Sequence, residues 1–293
     1  MAEHDMRFLK DLLVPKLNQV PAGRIVEPVP EGHGIPRIIH QTFPVKALPV
    51  ELRRNTDALK SLNPGWEYRF YDDDDIQEFI GEHYDQDVLN AFRRINPGYG
   101  AAKADVFRYL LMYACGGVYL DIKSSARKPF EEIFEPDDRY LLSVWKNRQG
   151  ELYEGWGRHS ELRHLEGGEF QQWYIACAPG HPFLEAVINT VLRNLKIYNP
   201  VFHGVGKEGV LRVTGPVAYT LTIARLLSQN AYRWAEADSD LGLQYSIYPE
   251  KSHRAIFGSH YSFLTDSIVK LTRPRRMSAL AFGTVKRALS MRS

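Results

Sequence analysis

The chain has 293 residues, 44% hydrophobic and 25% charged, a balance that suits one large globular domain or a domain with a subdomain and excludes a disordered chain. The net charge of +2 is uneven: seven basic residues and no acid lie from Lys270 onward, leaving −5 on the rest, which argues against a nucleic-acid partner. No apolar run reaches eighteen residues, so no membrane-spanning helix is expected.

Residues 5–20 read as a short amphipathic helix, with Phe8, Leu9, Leu12 and Leu13 on one side. The start lacks a basic stretch followed by an apolar run, which points to a cytoplasmic protein rather than a secreted one. A Pro/Gly-rich lead-in over 21–36 completes an N-terminal segment assigned to 1–34. Residues 37–42 predict a strand, 48–62 a helix stopped by Asn63-Pro64-Gly65, and 66–71 a second strand. The acids Asp72–Asp75 precede a helix that starts at Ile76; carboxylates at a helix start satisfy free amides and oppose the dipole, so they read as a cap rather than a metal cluster.

Residues 101–114 carry Ala104, Phe107, Leu110, Leu111 and Ala114 at helical spacing, and Gly116-Gly117 close that helix. Residues 118–121 are then a short buried strand with Asp121 at its end. Residues 147–172 read as a long loop, 173–178 as a strand, 181–195 as a helix, and Thr214-Gly215-Pro216 open another helix through Leu227. Strands alternating with helices predict an α/β fold with a mixed, mostly parallel sheet flanked by helices, and ligands in such sheets bind at the carboxyl ends of strands. The main domain is assigned to 35–266. The two cysteines, Cys115 and Cys177, lack CxxC spacing, which fits a reducing compartment and argues against zinc.

Asp105 and Arg108 lie three apart on one helix face, beside the apolar residues. Held together, they can accept from and donate to neighbouring sugar hydroxyls; a structural ion pair is the other reading. Asp121 reads either as a helix cap or as a ligand for Mn2+ or Mg2+ on a nucleoside diphosphate. His40, at the end of the first strand, is placed either against a nucleotide or in a structural role. Tyr119 and Trp66 read as core.

Five segments in order, 35–42, 63–68, 101–121, 178–183 and 214–216, resemble the DXD-motif sugar-binding glycosyltransferases of family 32. The resemblance implies a GT-A fold, a nucleotide-sugar donor, a glycan or lipid-linked acceptor and transfer with retention. It implies that Asp105 and Arg108 bind the donor sugar, that His40, Gln41, Thr214 and Gly215 meet the nucleotide or diphosphate, and that Asp121 is catalytic. The motif departs from Asp-X-Asp: it reads Asp121-Ile122-Lys123. Three accounts compete. Asp121 holds the metal with His260, or the Lys123 ammonium replaces the metal, or the chain binds a nucleotide sugar or glycan without transfer. Gln171 and Gln172 stand where an acceptor-side residue is expected. A glycoside hydrolase is the weaker alternative, because no pair of acids is singled out by spacing.

Residues 267–293 form the third assigned segment. Met277, Leu280, Ala281, Val285, Ala288 and Leu289 recur at helical spacing among Arg276, Lys286, Arg287 and Arg292. That pattern reads as a basic amphipathic helix, either packed on the body or docked on an anionic surface at the inner face of a membrane.

Overall fold

Side chains alternate sides along a strand, so a short strand whose residues are apolar on both sides is a strand buried on both faces. The computed structural model describes residues 15–248 and 263–271 and places four strands in one sheet, of which Gly117–Leu120 and Tyr174–Cys177 are buried along their whole length. They are β1 (Ile38–Thr42), β2 (Glu67–Tyr71), β3 (Gly117–Leu120) and, late in the chain, Tyr174–Cys177. Their spatial order puts β1 between β2 and β3, with Tyr174–Cys177 at the far edge beside β3. β1 runs parallel to both neighbours, with Ile39 opposite Tyr68 and Val118. The last strand is antiparallel to β3, pairing Gly117 with Cys177. The sheet is thus mixed and mostly parallel, as the sequence predicts.

Between the strands run α1 (Val50–Leu62), α2 (Asp73–His83), α3 (Gln86–Arg93) and α4 (Gly100–Cys115). The second half adds α5 (Pro182–Ile197), α6 (Pro200–His203), α7 (Gly206–Val213) and α8 (Pro216–Ala224). Two-stranded pieces pair Ser125–Ala126 with Leu243–Gln244, and Leu141–Leu142 with Arg233–Trp234. The alternation along the strands builds two cores. Tyr119, Ile175 and Cys177 face helices α2 to α5 and α8, while Ile39, Val118, Leu120, Tyr174 and Ala176 face Phe130, Trp145 and Trp173.

The Asp72 carboxylate accepts from the amides of Asp74 and Asp75 at 3.0 and 2.9 Å, and the Asp75 carboxylate accepts from the Asp72 amide at 3.0 Å. The acidic run is therefore the capping box of α2. The last helix is shorter than its pattern predicts: Thr214 ends α7, Gly215 caps α8, and α8 stops at Ala224. Helices α3, α6 and α7 were not anticipated; each is eight residues or fewer, too short to show a full periodic stripe. Residues 15–20 are not helical: the described part of the expected 5–20 helix is irregular chain with a bend at Leu17 and Asn18, and the rest of it lies outside the described residues. The predicted tail helix over 277–289 also lies outside them. Among the described residues no helix is long and apolar enough to cross a membrane.

Candidate functional site

α4 and β3 meet at a reversal that sets the site. Gly116 and Gly117 adopt φ of +64° and +96°, and a Cβ on Gly116 would stand 2.6 Å from the Pro179 backbone nitrogen. Only glycine satisfies both demands, so the chain turns sharply from helix into strand. A helix rises about 1.5 Å per residue, so Arg108 lies roughly 10 Å back from the helix end. A strand climbs about 3.3 Å per residue, so Asp121 recovers a similar height. The reversal thereby brings Arg108 beside Asp121, thirteen positions apart, with Arg108 Nη2 3.2 Å from Asp121 Oδ1.

Four charged side chains converge there. Arg108 Nη2 also lies 3.6 Å from Asp105 Oδ1, and Lys123 Nζ lies 3.0 Å from Asp121 Oδ2. Two acids and two bases balance, the condition under which charges tolerate burial. Asp105 and Arg108 are 4% and 6% exposed and Lys123 is 9% exposed, whereas Asp121 is only half-buried. Asp121 is therefore the face the site turns to solvent.

The surroundings hold each member in place. Arg108 donates from Nη1 to the Gln172 carbonyl at 2.6 Å and from Nε to the Ala104 carbonyl at 3.2 Å, and its guanidinium lies 4.9 Å from the Tyr119 ring centre. Asp105 accepts from Thr214 Oγ1 at 3.0 Å and from Gln172 Nε2 at 3.2 Å. The Tyr109 hydroxyl sits between the Thr214 carbonyl, at 2.9 Å, and Gln172 Oε1. The Tyr119 hydroxyl donates to Asp121 Oδ1 at 3.4 Å and meets Thr42 Oγ1 at 3.2 Å. The turn after β3 is fixed by Asn55 of α1, whose amide donates to the carbonyls of Ile122 and Ser124 at 3.1 and 2.8 Å. Lys123 rests 4.4 Å from the Tyr245 ring centre.

These contacts set the protonation states. Burial raises the Asp105 carboxyl to about 6, with Arg108, Thr214 and Gln172 pulling only part of the way back. Burial also opposes the charge on Asp121, but Lys123 and Arg108 together outweigh it and hold that carboxyl below its usual range. Burial works against the Lys123 ammonium too, yet Asp121 and Tyr245 raise it overall. At neutral pH the quartet carries two carboxylates and two cations.

The other residues singled out by sequence divide. His40 is fully buried behind the strand, its Nε2 donating to the Gly116 carbonyl at 3.1 Å and its Nδ1 facing the Tyr71 hydroxyl at 3.2 Å. Burial lowers it to about 4, so it is neutral and braces the glycine turn. Gln41 does reach the site: its amide lies 3.4 Å from the Asp121 carbonyl, and Tyr68 donates to its Oε1 at 3.0 Å. Thr214 and Gly215 both give their amides to the Val210 carbonyl, at 3.1 and 2.9 Å, so this turn meets the site through the Thr214 hydroxyl. Gln172 belongs with Asp105 and Arg108, while its neighbour Gln171 faces a separate cavity. His260 lies outside the described residues. Asn55, Tyr109 and Tyr245 were missed, because each reaches the site from a distant element and no local pattern marks it.

The fit for a divalent ion rests on one carboxylate. Both oxygens of Asp121 already face cations, the second acid of an Asp-X-Asp pair is Lys123, and among the described residues no three His, Cys, Asp or Glu side chains form a metal cluster. Mn2+ or Mg2+ commonly takes one or two carboxylates and completes its shell with phosphate oxygens and water; among the described residues this site offers such an ion Asp121 alone, with Lys123 beside it, and His260 lies outside them.

With this geometry in view, comparison places residues 49–140 in agreement with the family described as the glycosyltransferase sugar-binding region containing the DXD motif. The chain is 28% identical over 236 residues to an initiation-specific alpha-1,6-mannosyltransferase of Candida albicans, a match covering 71% of this chain and 60% of that protein. It is 26% identical over 230 residues to inositol phosphoceramide mannosyltransferase 3 of Schizosaccharomyces pombe, covering 78% and 54%. The chain thus spans less than two thirds of the length of these relatives. The UDP-bound glycosyltransferase domain of the YGT toxin shares the fold, with a TM-score of 0.50 at 9% identity over 78% of this chain and 83% of that one. The fold is α/β of the GT-A type.

Proposed function

We propose that this chain, whose residues 49–140 match the family model of the DXD-motif sugar-binding glycosyltransferases, moves a sugar from a nucleotide-sugar donor to a glycan or lipid-linked acceptor. The observation that carries the reading is the convergence of Asp105, Arg108, Asp121 and Lys123 at the carboxyl end of β3. Two of its relatives are named mannosyltransferases, one by an alpha-1,6 linkage and the other by inositol phosphoceramide.

In this proposal Asp105 and Arg108 recognise hydroxyls of the donor sugar and Lys123 faces the diphosphate. A buried ammonium is a fixed charge where negative charge develops as the diphosphate departs, and such preorganised charge usually dominates catalysis. Asp121 orients Lys123 and Arg108 and, being the most exposed of the four, meets the donor first. The reaction proceeds with retention. The bond between the anomeric carbon and the phosphate oxygen breaks while an acceptor hydroxyl bonds to that carbon from the same face. The hydroxyl proton passes to the departing phosphate oxygen. No step is assigned to a metal ion.

The test is release of nucleoside diphosphate from a panel of UDP- and GDP-sugars, with Asp121→Asn as the paired variant. At least one donor is turned over by the natural chain, and Asp121→Asn slows it by about 100-fold while the circular-dichroism spectrum is kept. A panel that yields no nucleoside diphosphate, with or without added Mn2+, ends the proposal; so does full turnover by the variant.

A further inference from the structure

Resting on the donor reading above, we propose that a cavity of about 450 Å3 beside the charged quartet is the acceptor subsite and takes a pyranose ring. None of the four charged residues lines it; Tyr245 stands between, lining the cavity while its ring lies 4.4 Å from Lys123 Nζ. Trp173 joins the two sites in the same way, since it lines the cavity and its carbonyl accepts from the Asp121 amide at 2.8 Å. An acceptor bound there would lie one aromatic ring away from the departing diphosphate.

The chemistry of the walls points to a carbohydrate. Trp145, Tyr153, Trp173 and Tyr245 line the cavity and pack edge to face, with Trp145 5.1 Å from Tyr245 and 4.7 Å from Tyr153, and Trp173 5.6 Å from Tyr245. Aromatic faces cover the C–H face of a pyranose, and its hydroxyl rim needs both donors and acceptors. The cavity has one of each in reserve. Trp173 Nε1 is a buried donor and Gln171 Oε1 a buried acceptor, neither with a hydrogen-bond partner, and both residues are more than nine-tenths buried. Buried polar groups are nearly always paired, so two orphans carried by residues that line one cavity, both sealed from water, are groups a ligand's hydroxyls would satisfy once these side chains turn toward it.

Trp145 shows the contrast. Its Nε1 donates to Glu169 at 2.7 Å, and Glu169 in turn pairs with His159 at 2.7 Å, so that ring is locked in place by the protein itself. A platform held rigid on one side and left unsatisfied on the other is built to bind. Lys146, bridging Glu236 and Asp238 at 3.0 Å each, adds charged groups around the cavity that can exchange hydrogen bonds with further hydroxyls.

The experiment titrates the intact protein with methyl mannopyranosides, methyl glucopyranosides and their disaccharides, following tryptophan fluorescence, and separately measures glycoside transfer and donor hydrolysis in water. Gln171→Met removes the free acceptor oxygen at constant length, and Tyr153→Ala opens the aromatic wall. A saturable change with at least one glycoside is expected. Both variants should raise its Kd by about tenfold, and transfer should fall while donor hydrolysis is unchanged. Binding of equal strength in both variants overturns the assignment, as does a flat titration with every glycoside or displacement of the bound glycoside by a free nucleoside. If no nucleotide sugar is hydrolysed yet a glycoside binds and both variants weaken it, the donor reading falls and the cavity stands as a sugar site.

Discussion

Lys123 occupies the position where an Asp-X-Asp motif places its second acid, and its ammonium makes an ion pair with the first. A side chain that supplies the positive charge removes the need for an ion to do so. Donor turnover by the natural chain is therefore expected to withstand a chelator, while Lys123→Asp should make turnover depend on added Mn2+. Turnover that a chelator abolishes and Mn2+ restores in the natural chain would contradict this. Asp105 supplies a second handle. Its carboxyl, raised to about 6 by burial, titrates above its ordinary value of 3.8, so ionising it opposes folding. The stability it contributes is present below the unfolded value and lost as pH rises through about 6. The donor-binding form is the charged one, so kcat/KM for donor should fall on the acid side with an apparent pKa near 6, read from a pH–rate profile. A profile flat down to pH 4.5 would separate Asp105 from the donor.

The element that matters most is the helix–turn–strand unit from Gly100 to Leu120. Its helix and strand were legible because their patterns are local: apolar residues at helical spacing, then two glycines, then three apolar positions. The turn carries the geometry. Gly116→Ala would force a side chain into a backbone region that essentially only glycine occupies, and against the Pro179 nitrogen 2.6 Å away. The expected loss is about 1–3 kcal/mol or more in urea denaturation, with donor turnover falling alongside as Asp121 shifts from Arg108. Unchanged stability would mean the turn relaxes freely and does not set the site. Asp72–Asp75 were legible for the same local reason, since a cap needs only its own helix. The short helices α3, α6 and α7 were not, because what keeps them helical is packing against the body, as Val88, Leu89 and Phe92 of α3 show by their burial.

Across the whole molecule, segments distant in sequence are stitched to the sheet domain by buried polar contacts. Asn18 exchanges hydrogen bonds with Asn194, and Asn189 accepts from the Ile25 amide at 2.6 Å, which docks the lead-in on α5. At the other end, Ile268 and Val269 are buried, and the Tyr99 hydroxyl donates to the Asp266 carbonyl at 2.6 Å while accepting from the Gly206 amide at 3.0 Å. Tyr99→Phe strands both partners, at a cost of about 1–3 kcal/mol in urea denaturation, with faster hydrogen exchange at Gly206. Equal stability and exchange would show that this clasp is not what holds the segment. The sequence by itself determined the α/β class, the strands and helices around the glycine turn, and the acid–guanidinium pair three residues apart, because each depends on neighbours within a turn or two of chain. Only the tertiary structure decided that Lys123 closes on Asp121, that His40 is buried against the glycine turn, and that Gln171 Oε1 and Trp173 Nε1 lack hydrogen-bond partners in residues lining an aromatic cavity. Those outcomes depend on which distant side chains arrive at the same place, and long-range packing leaves no periodic mark on the chain.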